Sequence, residues 1–254
     1  MKRLLVLLSA MAMVACATQA AKAANLLTNG TLDDVVPTEI VPGFFLPKPA
    51  AWQNLGTRTI TGPYEDEMSS EPWAGPAPTP VTTEGNNLPG PDGCSGLDCA
   101  VFFKPFSGNL ATNGAATGTL QQAVPGTAGT TYVFGGWAGA EANALMARAV
   151  FAIDFLNGGG GTISSSELDL LPTLLVPNGQ SFNYKYFAVA GVAPAGTASV
   201  RGRVSMIDAL SNPAGGGQAF VVDDFSLDTV VPEPTTAVLG LLSVLGLFGT
   251  MRRR

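Results

Sequence analysis

The chain has 254 residues, and its middle is strongly acidic: residues 25–229 hold 7 basic and 18 acidic side chains, a net of 7 − 18 = −11. That excludes nucleic acid and anionic membrane surfaces as partners of this region, because both need clustered Lys and Arg. The chain has no histidine, which excludes Ser-His-Asp and Cys-His triads and histidine-based zinc sites.

The first residues read as a secretory signal. Met1-Lys2-Arg3 is the positive start, Leu4 to Ala15 the apolar core, and Ala21-Lys22-Ala23 an A-x-A cleavage site, so residues 1–23 are expected to be removed. An alternative takes Met13-Val14-Ala15-Cys16 as a lipoprotein box with Cys16 lipidated. Next, Asn25 to Asp33 predicts a short apolar strand ending in an Asn29-Gly30 turn. A proline-rich stretch runs from Pro37 to Pro49, followed by Trp52 and a predicted strand from Thr57 to Thr61. Residues 62–98 read as a long loop insert, with Tyr64, the acids Glu65, Asp66, Glu67 and Glu71, and Trp73 among prolines. Such an insert is uncommon in a compact domain unless it is functional or mobile. Cys94 within it and Cys99 directly after it are the only cysteines of the exported part. An even pair in an oxidising compartment is expected to form a disulfide. Two thiols without a histidine are too few for a metal site.

From Ala100 the pattern becomes regular. Strands are predicted over Ala100–Phe106, Gly118–Val124, Thr130–Ala138, Arg148–Phe155, Phe182–Val192, Ser199–Met206 and Ala219–Leu227. In Arg148–Phe155 the period is two: Phe151, Ile153 and Phe155 share one face, Arg148 and Asp154 the other. Val200, Val204 and Met206 likewise face in, with Arg201 and Arg203 out. Gly158–Gly161 is a turn, and Ala138–Ala147 alone admits a short helix. With 31 glycines, 19 prolines and 13% charged residues, and no βαβ alternation, this is an all-β sandwich of about 200 residues.

Asn25-Leu26-Leu27-Thr28-Asn29-Gly30 resembles the opening strand of galactose-binding-like jelly rolls, the fold of many carbohydrate-binding modules. Val222-Asp223-Asp224-Phe225-Ser226-Leu227 resembles their closing strand, and Gly126–Trp137 the middle strand after a Gly-rich turn. The resemblance covers most of residues 25–229, apart from the 62–98 insert. It implies a jelly-roll β-sandwich and a structural calcium held by Asp223 with groups of the first strand and its turn, Asn29 and Asp33. Asp223 has the parity of Val221, Phe225 and Leu227 and is expected to point into the core, where a carboxylate is costly unless paired or bound to metal. Its oxygen partners suit calcium, and satisfaction by backbone N–H groups or an arginine is the alternative. Trp52, Tyr64 and Trp73 are candidate sugar-stacking rings, with Trp52 and Trp137 also readable as core and Trp73 as the exposed one. Glu65, Asp66, Glu67 and Glu71 are neighbours in one loop and do not face each other across a bond, as glycoside hydrolysis needs. No catalytic residue is expected.

The tail is the clearest segment. Pro232-Glu233-Pro234 precedes the uncharged run Thr235–Met251, and Arg252-Arg253-Arg254 closes it. Seventeen residues of helix reach about 25 Å, the short end of what spans a bilayer. The prolines bound that helix outside, and the arginines keep the other end cytoplasmic. A Pro-Glu-Pro motif, an apolar span and a basic end resemble the PEP-CTERM sorting signal. The resemblance implies a bacterial envelope of Gram-negative type, an exopolysaccharide system and an exosortase that processes the tail. A plain membrane anchor is the alternative. The expected organisation is a signal peptide (1–23), a sandwich (24–229), and a sorting signal (230–254) with a single transmembrane helix over 235–251. The expected function is a non-catalytic exported surface or matrix protein, held in the inner membrane and then passed to the surface, that associates with exopolysaccharide. A structural or adhesive protein without a sugar site, or a polysaccharide hydrolase, are the alternatives.

Overall fold

Strands whose side chains alternate between large apolar and polar groups can bury one face only, so they must pair into sheets and stack those sheets core to core. The computed structural model does this, among the described residues, with twelve strands and one short helix. It describes residues 24–41, 44–58, 70–73, 100–103, 115–141, 143–174, 185–214 and 218–230. The elements are β1 (Val35–Val41), β2 (Phe44–Pro49), β3 (Gln53–Arg58), β4 (Ser70–Trp73), β5 (Ala100–Phe103), β6 (Ala116–Pro125), β7 (Thr131–Ala140), β8 (Arg148–Leu156), β9 (Thr162–Asp169), α1 (Leu171–Leu174), β10 (Lys185–Val192), β11 (Ser199–Ala209) and β12 (Phe220–Thr229).

A first sheet has the order β10-β7-β12-β5-β4, and a second the order β3-β6-β11-β8-β9, each antiparallel throughout. The chain changes sheet at every step from β5 to β8 and again from β9 to β12, which is the winding of a jelly roll. A separate two-stranded ladder joins β1 to β2. The fold is therefore an all-β jelly-roll sandwich.

Between the sheets lies an aromatic core. Phe134 of β7 stacks on Phe225 of β12 with centroids 5.2 Å apart and meets Phe151 of β8 at 5.5 Å. Phe225 also meets Phe151 at 5.5 Å and Trp52 at 5.3 Å. Each of these rings contributes about 1.5–3 kcal/mol by leaving water. Glycine lets the layers close up: a Cβ on Gly202 would lie 2.8 Å from the Phe134 ring.

Several expectations change here. Asn25–Leu32 is a hook rather than a strand. It fills the edge of β12 that β5 leaves open, since β5 pairs only with Phe220–Val222. The Leu26 N–H donates to the Leu227 carbonyl (2.9 Å) and the Phe225 N–H to the Gly30 carbonyl (2.7 Å). The Asn25 side chain donates to the Phe225 carbonyl (2.9 Å) and accepts from the Leu227 N–H (3.0 Å). The proline-rich stretch is the β1–β2 hairpin, in which Pro37 lies opposite Pro47. Such a small ladder tolerates residues without an N–H. The described residues of 138–147 form no helix but the end of β7 and a loop. β9 was not foreseen, because it is a largely exposed edge strand with no apolar face.

The parity of β12 is also different. The register slips between Asp223 and Ser226, and Asp224 sits at φ 50°. This bulge adds one residue, so Phe220, Val222, Phe225 and Leu227 all reach the core. Asp223 is buried as expected, at 2% exposure, but on the outer side of the sheet with Val221 and opposite Trp137, not among the residues between the sheets.

Among the described residues no helix is long and apolar enough to cross a membrane. Residues 1–23 with Cys16, Tyr64, Cys94 and Cys99, Pro232-Glu233-Pro234, Thr235–Met251 and Arg252–Arg254 lie outside the described residues.

Candidate functional site

Two outer faces are left once the inner ones are buried, and they differ in chemistry. Residues paired directly across an antiparallel ladder share a face. On the first sheet this aligns Tyr186 of β10 with Trp137 of β7 and Asp223 of β12. The next row is Ala188, Gly135 and Ser226, and the third is Ala190, Val133 and Asp228.

Tyr186 and Trp137 touch, with centroids 5.4 Å apart and planes at 62°. Trp137 is half-buried, anchored on an outer apolar cluster of Ala100, Phe102, Ala219 and Val221. Tyr186 is 49% exposed. Its ring lies down across Gly135, where an added Cβ would stand 2.3 Å from Oη and 2.8 Å from Cζ. Only a residue without a side chain permits that posture. The result is a flat aromatic surface held by a tryptophan, bordered by a floor of Gly135 and Ala188 and by the polar groups of β12. Ser226 offers a hydroxyl there. In Asp223 one carboxylate oxygen accepts from the Asp224 N–H at 2.8 Å. In Asp228, Oδ1 is shielded and has no hydrogen-bond partner.

The second sheet's outer face is ionic and self-contained. Asp154 of β8 is 2% exposed. It accepts from Ser165 Oγ (2.6 Å), from Arg201 Nε (2.9 Å), and from Arg203 through Nε (2.9 Å) and Nη2 (3.2 Å). Arg203 Nη2 also reaches Glu167 (2.9 Å), and Arg148 links Glu167 and Asp169 at 3.2 Å each. Burial pushes the Asp154 carboxyl up, but hydrogen bonds from Arg203, Ser165 and Arg201 overcome it and hold the group below the usual carboxylate range. The hydrogen bond from Arg203 likewise draws Glu167 down, against the smaller effect of burial. Within this network three cations match three anions.

The residues proposed from sequence fall in different places. Trp52 is 8% exposed, packs on Phe225, and donates its indole N–H to the Asn29 carbonyl at 2.8 Å. It is a core residue with no free face for a sugar. Trp73 ends β4 opposite Ala100, and its side chain lies outside the described residues. Asn29 spends its side chain on the hook: Nδ2 donates to the carbonyls of Asp34 and Ala50, and Oδ1 accepts from the Asp34 N–H. Asp33 is half-buried. With Asp223 on the outer face, and the oxygens of Asn29 and Gly30 already accepting hydrogen bonds, these residues do not fit a calcium ion. Among the described residues no group of three or more Asp, Glu or Cys could hold a metal.

An open hollow of about 550 Å³ lies beside the hook, lined by Leu26, Thr28, Ala51 and Gln122–Pro125. Its one amide, Gln122, is fully used: Nε2 donates to the carbonyls of Thr28 and Ala51, and Oε1 accepts from the Thr28 N–H. It is a clamp on the hook.

Tyr186 and Trp137 were missed as a site. The signal was parity: Val133, Gly135 and Trp137 alternate against Phe134 and Ala138, so the tryptophan had to face outward.

No family model matches the chain, and no curated protein matches it. Solved structures do resemble it. One is the enzymatically active domain of tailspike protein 4 of bacteriophage CBA120: 12% identity, TM-score 0.46, covering 81% of this chain and 21% of that one. Another is an arabinose-bound α-L-arabinofuranosidase: 14% identity, TM-score 0.45, covering 87% of this chain and 29% of that one. A third is the CBM22-1 xylan-binding domain of Xyn10C from Paenibacillus barcinonensis: 11% identity, TM-score 0.40, covering 84% and 99%. The chain thus spans under a third of the first two. The all-β assignment rests on the strand pairing itself.

Proposed function

We propose that this is a non-catalytic, exported surface or matrix protein that binds exopolysaccharide through the Tyr186–Trp137 face of its sandwich. The observation that carries the reading is the posture of Tyr186. A ring laid flat over Gly135 and half open to water is costly in apolar exposure, and it is the shape that the apolar face of a pyranose complements. Ser226, one row on and opposite Gly135, can meet a hydroxyl group.

The non-catalytic part is supported by the carboxylates. A glycosidase acid needs a raised pKa and a partner across the scissile bond. Asp154 and Glu167 are held down and share Arg203.

Export and sorting rest on the sequence of the ends. In this proposal residues 1–23 are cleaved, Thr235–Met251 holds the protein in the inner membrane, and an exosortase acts near Pro232-Glu233-Pro234. Membrane fractionation with mass spectrometry of the mature C-terminus tests it. Pro232→Ala/Pro234→Ala is expected to keep the span and block processing. A surface protein that retains Arg254 with the enzyme present would leave a plain anchor. For the sugar face, Tyr186→Ala is expected to weaken binding of the cognate polysaccharide at least tenfold with an unchanged melting temperature. Equal binding by the variant would refute the site.

A further inference from the structure

The geometry points to a neutral or amino glycan, not a polyuronate or other acidic polymer, as the ligand of the Tyr186 face; we infer this on top of the reading of that face as a glycan site. The argument is one of charge segregation. Of the seven basic residues in 25–229, Arg148, Arg201 and Arg203 lie on the opposite sheet, each committed to Asp154, Glu167 or Asp169. On the aromatic sheet the described strands β5, β7, β10 and β12 carry three aspartates and a single lysine. That lysine, Lys185, pairs with the core-facing Ala138, so it alternates away from Tyr186, and its Nζ donates to the Thr173 carbonyl at 2.9 Å.

Ser226 is the β12 group that a ligand on Tyr186 and Gly135 meets next, and it is flanked by Asp223, 2% exposed, and Asp228, whose Oδ1 is shielded, so the two aspartates act on a ligand through their charge. A carboxylate accepts hydrogen bonds and cannot donate them at neutral pH. Oδ1 of Asp228 is shielded and unpartnered, so no hydrogen bond within the fold offsets the charge at that oxygen. Hydroxyl and ammonium groups are donors; a uronate, sulfate or phosphate offers more acceptors. The net charge of −11 over residues 25–229 adds a long-range field that lowers the local concentration of polyanions. Short-range chemistry and the field select in the same direction.

The test is calorimetric titration of the full chain, purified in detergent, with three probes of matched length: a neutral glucan, a partly deacetylated chitosan oligomer and an oligogalacturonate. Each is run at low and at high salt, with Tyr186→Ala and Asp228→Asn beside the native protein. Binding of the neutral or amino probe, lost in Tyr186→Ala, with the oligogalacturonate at least tenfold weaker at low salt, is the expected result. High salt should narrow that gap, because screening removes the repulsion. Asp228→Asn should raise oligogalacturonate binding relative to the neutral probe. Tyr186-dependent binding of oligogalacturonate as tight as that of the neutral probe would overturn the charge inference and leave the glycan site standing. Binding of any probe that ignores Tyr186→Ala, or binding of none, would overturn the site and the inference together.

Discussion

Replacing Asp154 by Asn removes one negative charge from the centre of the ionic face without changing its volume. The side chain is 2% exposed, and two guanidinium groups and the Ser165 hydroxyl donate to it. Removing one partner of a buried ion pair costs about 3–5 kcal/mol, mainly because the opposite charge stays uncompensated. Arg201 and Arg203 keep 23% and 18% of their side-chain surface in water, which argues for the low end, about 3 kcal/mol. For a domain of this size each kcal/mol lowers the melting temperature by about 2–4 °C, so a drop of roughly 6–12 °C is expected at pH 7. The pH dependence gives a second check. A carboxyl whose folded pKa is depressed stabilises the fold above its unfolded value and loses that contribution as pH falls through the folded value. The native protein should hold its melting temperature from pH 7 to about pH 5 and lose it below about pH 4. The gap to Asp154→Asn should shrink on the same descent. Thermal denaturation followed by circular dichroism reads both. A drop below about 3 °C at pH 7, or a gap that does not narrow in acid, would mean the network behaves as an exchangeable surface pairing.

Trp52→Ala should cost about 3–5 kcal/mol through the cavity beside Phe225, seen as a lower denaturation midpoint, while any glycan binding at Tyr186 persists. Asn25→Ala removes bonds to the Phe225 carbonyl and the Leu227 and Leu27 N–H groups. At about 1 kcal/mol each, a loss of about 2–3 kcal/mol is expected, with faster hydrogen exchange at Leu227. Gly135→Ala should lift Tyr186 off the sheet; glycan affinity is expected to fall at least tenfold, measured against a melting temperature within a few degrees of the native one. A crystal structure with Tyr186 unmoved would refute that posture argument.

The strands that could be read in the sequence are those with one wet and one dry face. β8 and β11 show Phe151, Ile153, Phe155 and Val200, Val204, Met206 turned inward and Asp154, Arg201 and Arg203 outward, as alternation requires. What alternation cannot supply is register. That Asp154 lies opposite Arg201 follows from the pairing of strands 47 residues apart, and no local pattern states it. β9 was silent because its serines are exposed on both sides. Asp223 was misplaced because counting by twos assumes an unbroken ladder, and Asp224 breaks it in a left-handed conformation that an aspartate adopts more readily than most residues. Trp52 reads from sequence both as a core residue and as a sugar-stacking ring, and only the fold decides for the core, with the ring 8% exposed and its indole N–H spent on Asn29.

Strand order also decides how the domain bears mechanical load. Tyr186 stands at the row of Asp223, while β12 ends at Thr229, opposite Tyr132. The two points are offset along the strand axis by five residues of β7, Trp137 to Tyr132, which is about 17 Å at ~3.3 Å per residue. Tension between a polymer held at Tyr186 and the tail would cross two seams, β10 to β7 and β7 to β12, of eight paired residues each. Because that pull runs along the strands, it shears each ladder as a unit and does not peel it rung by rung. The Asn25 hook binds β12 at Phe225 and Leu227 on its other edge, so the strand that takes the strain is gripped from both sides at the end where the strain enters.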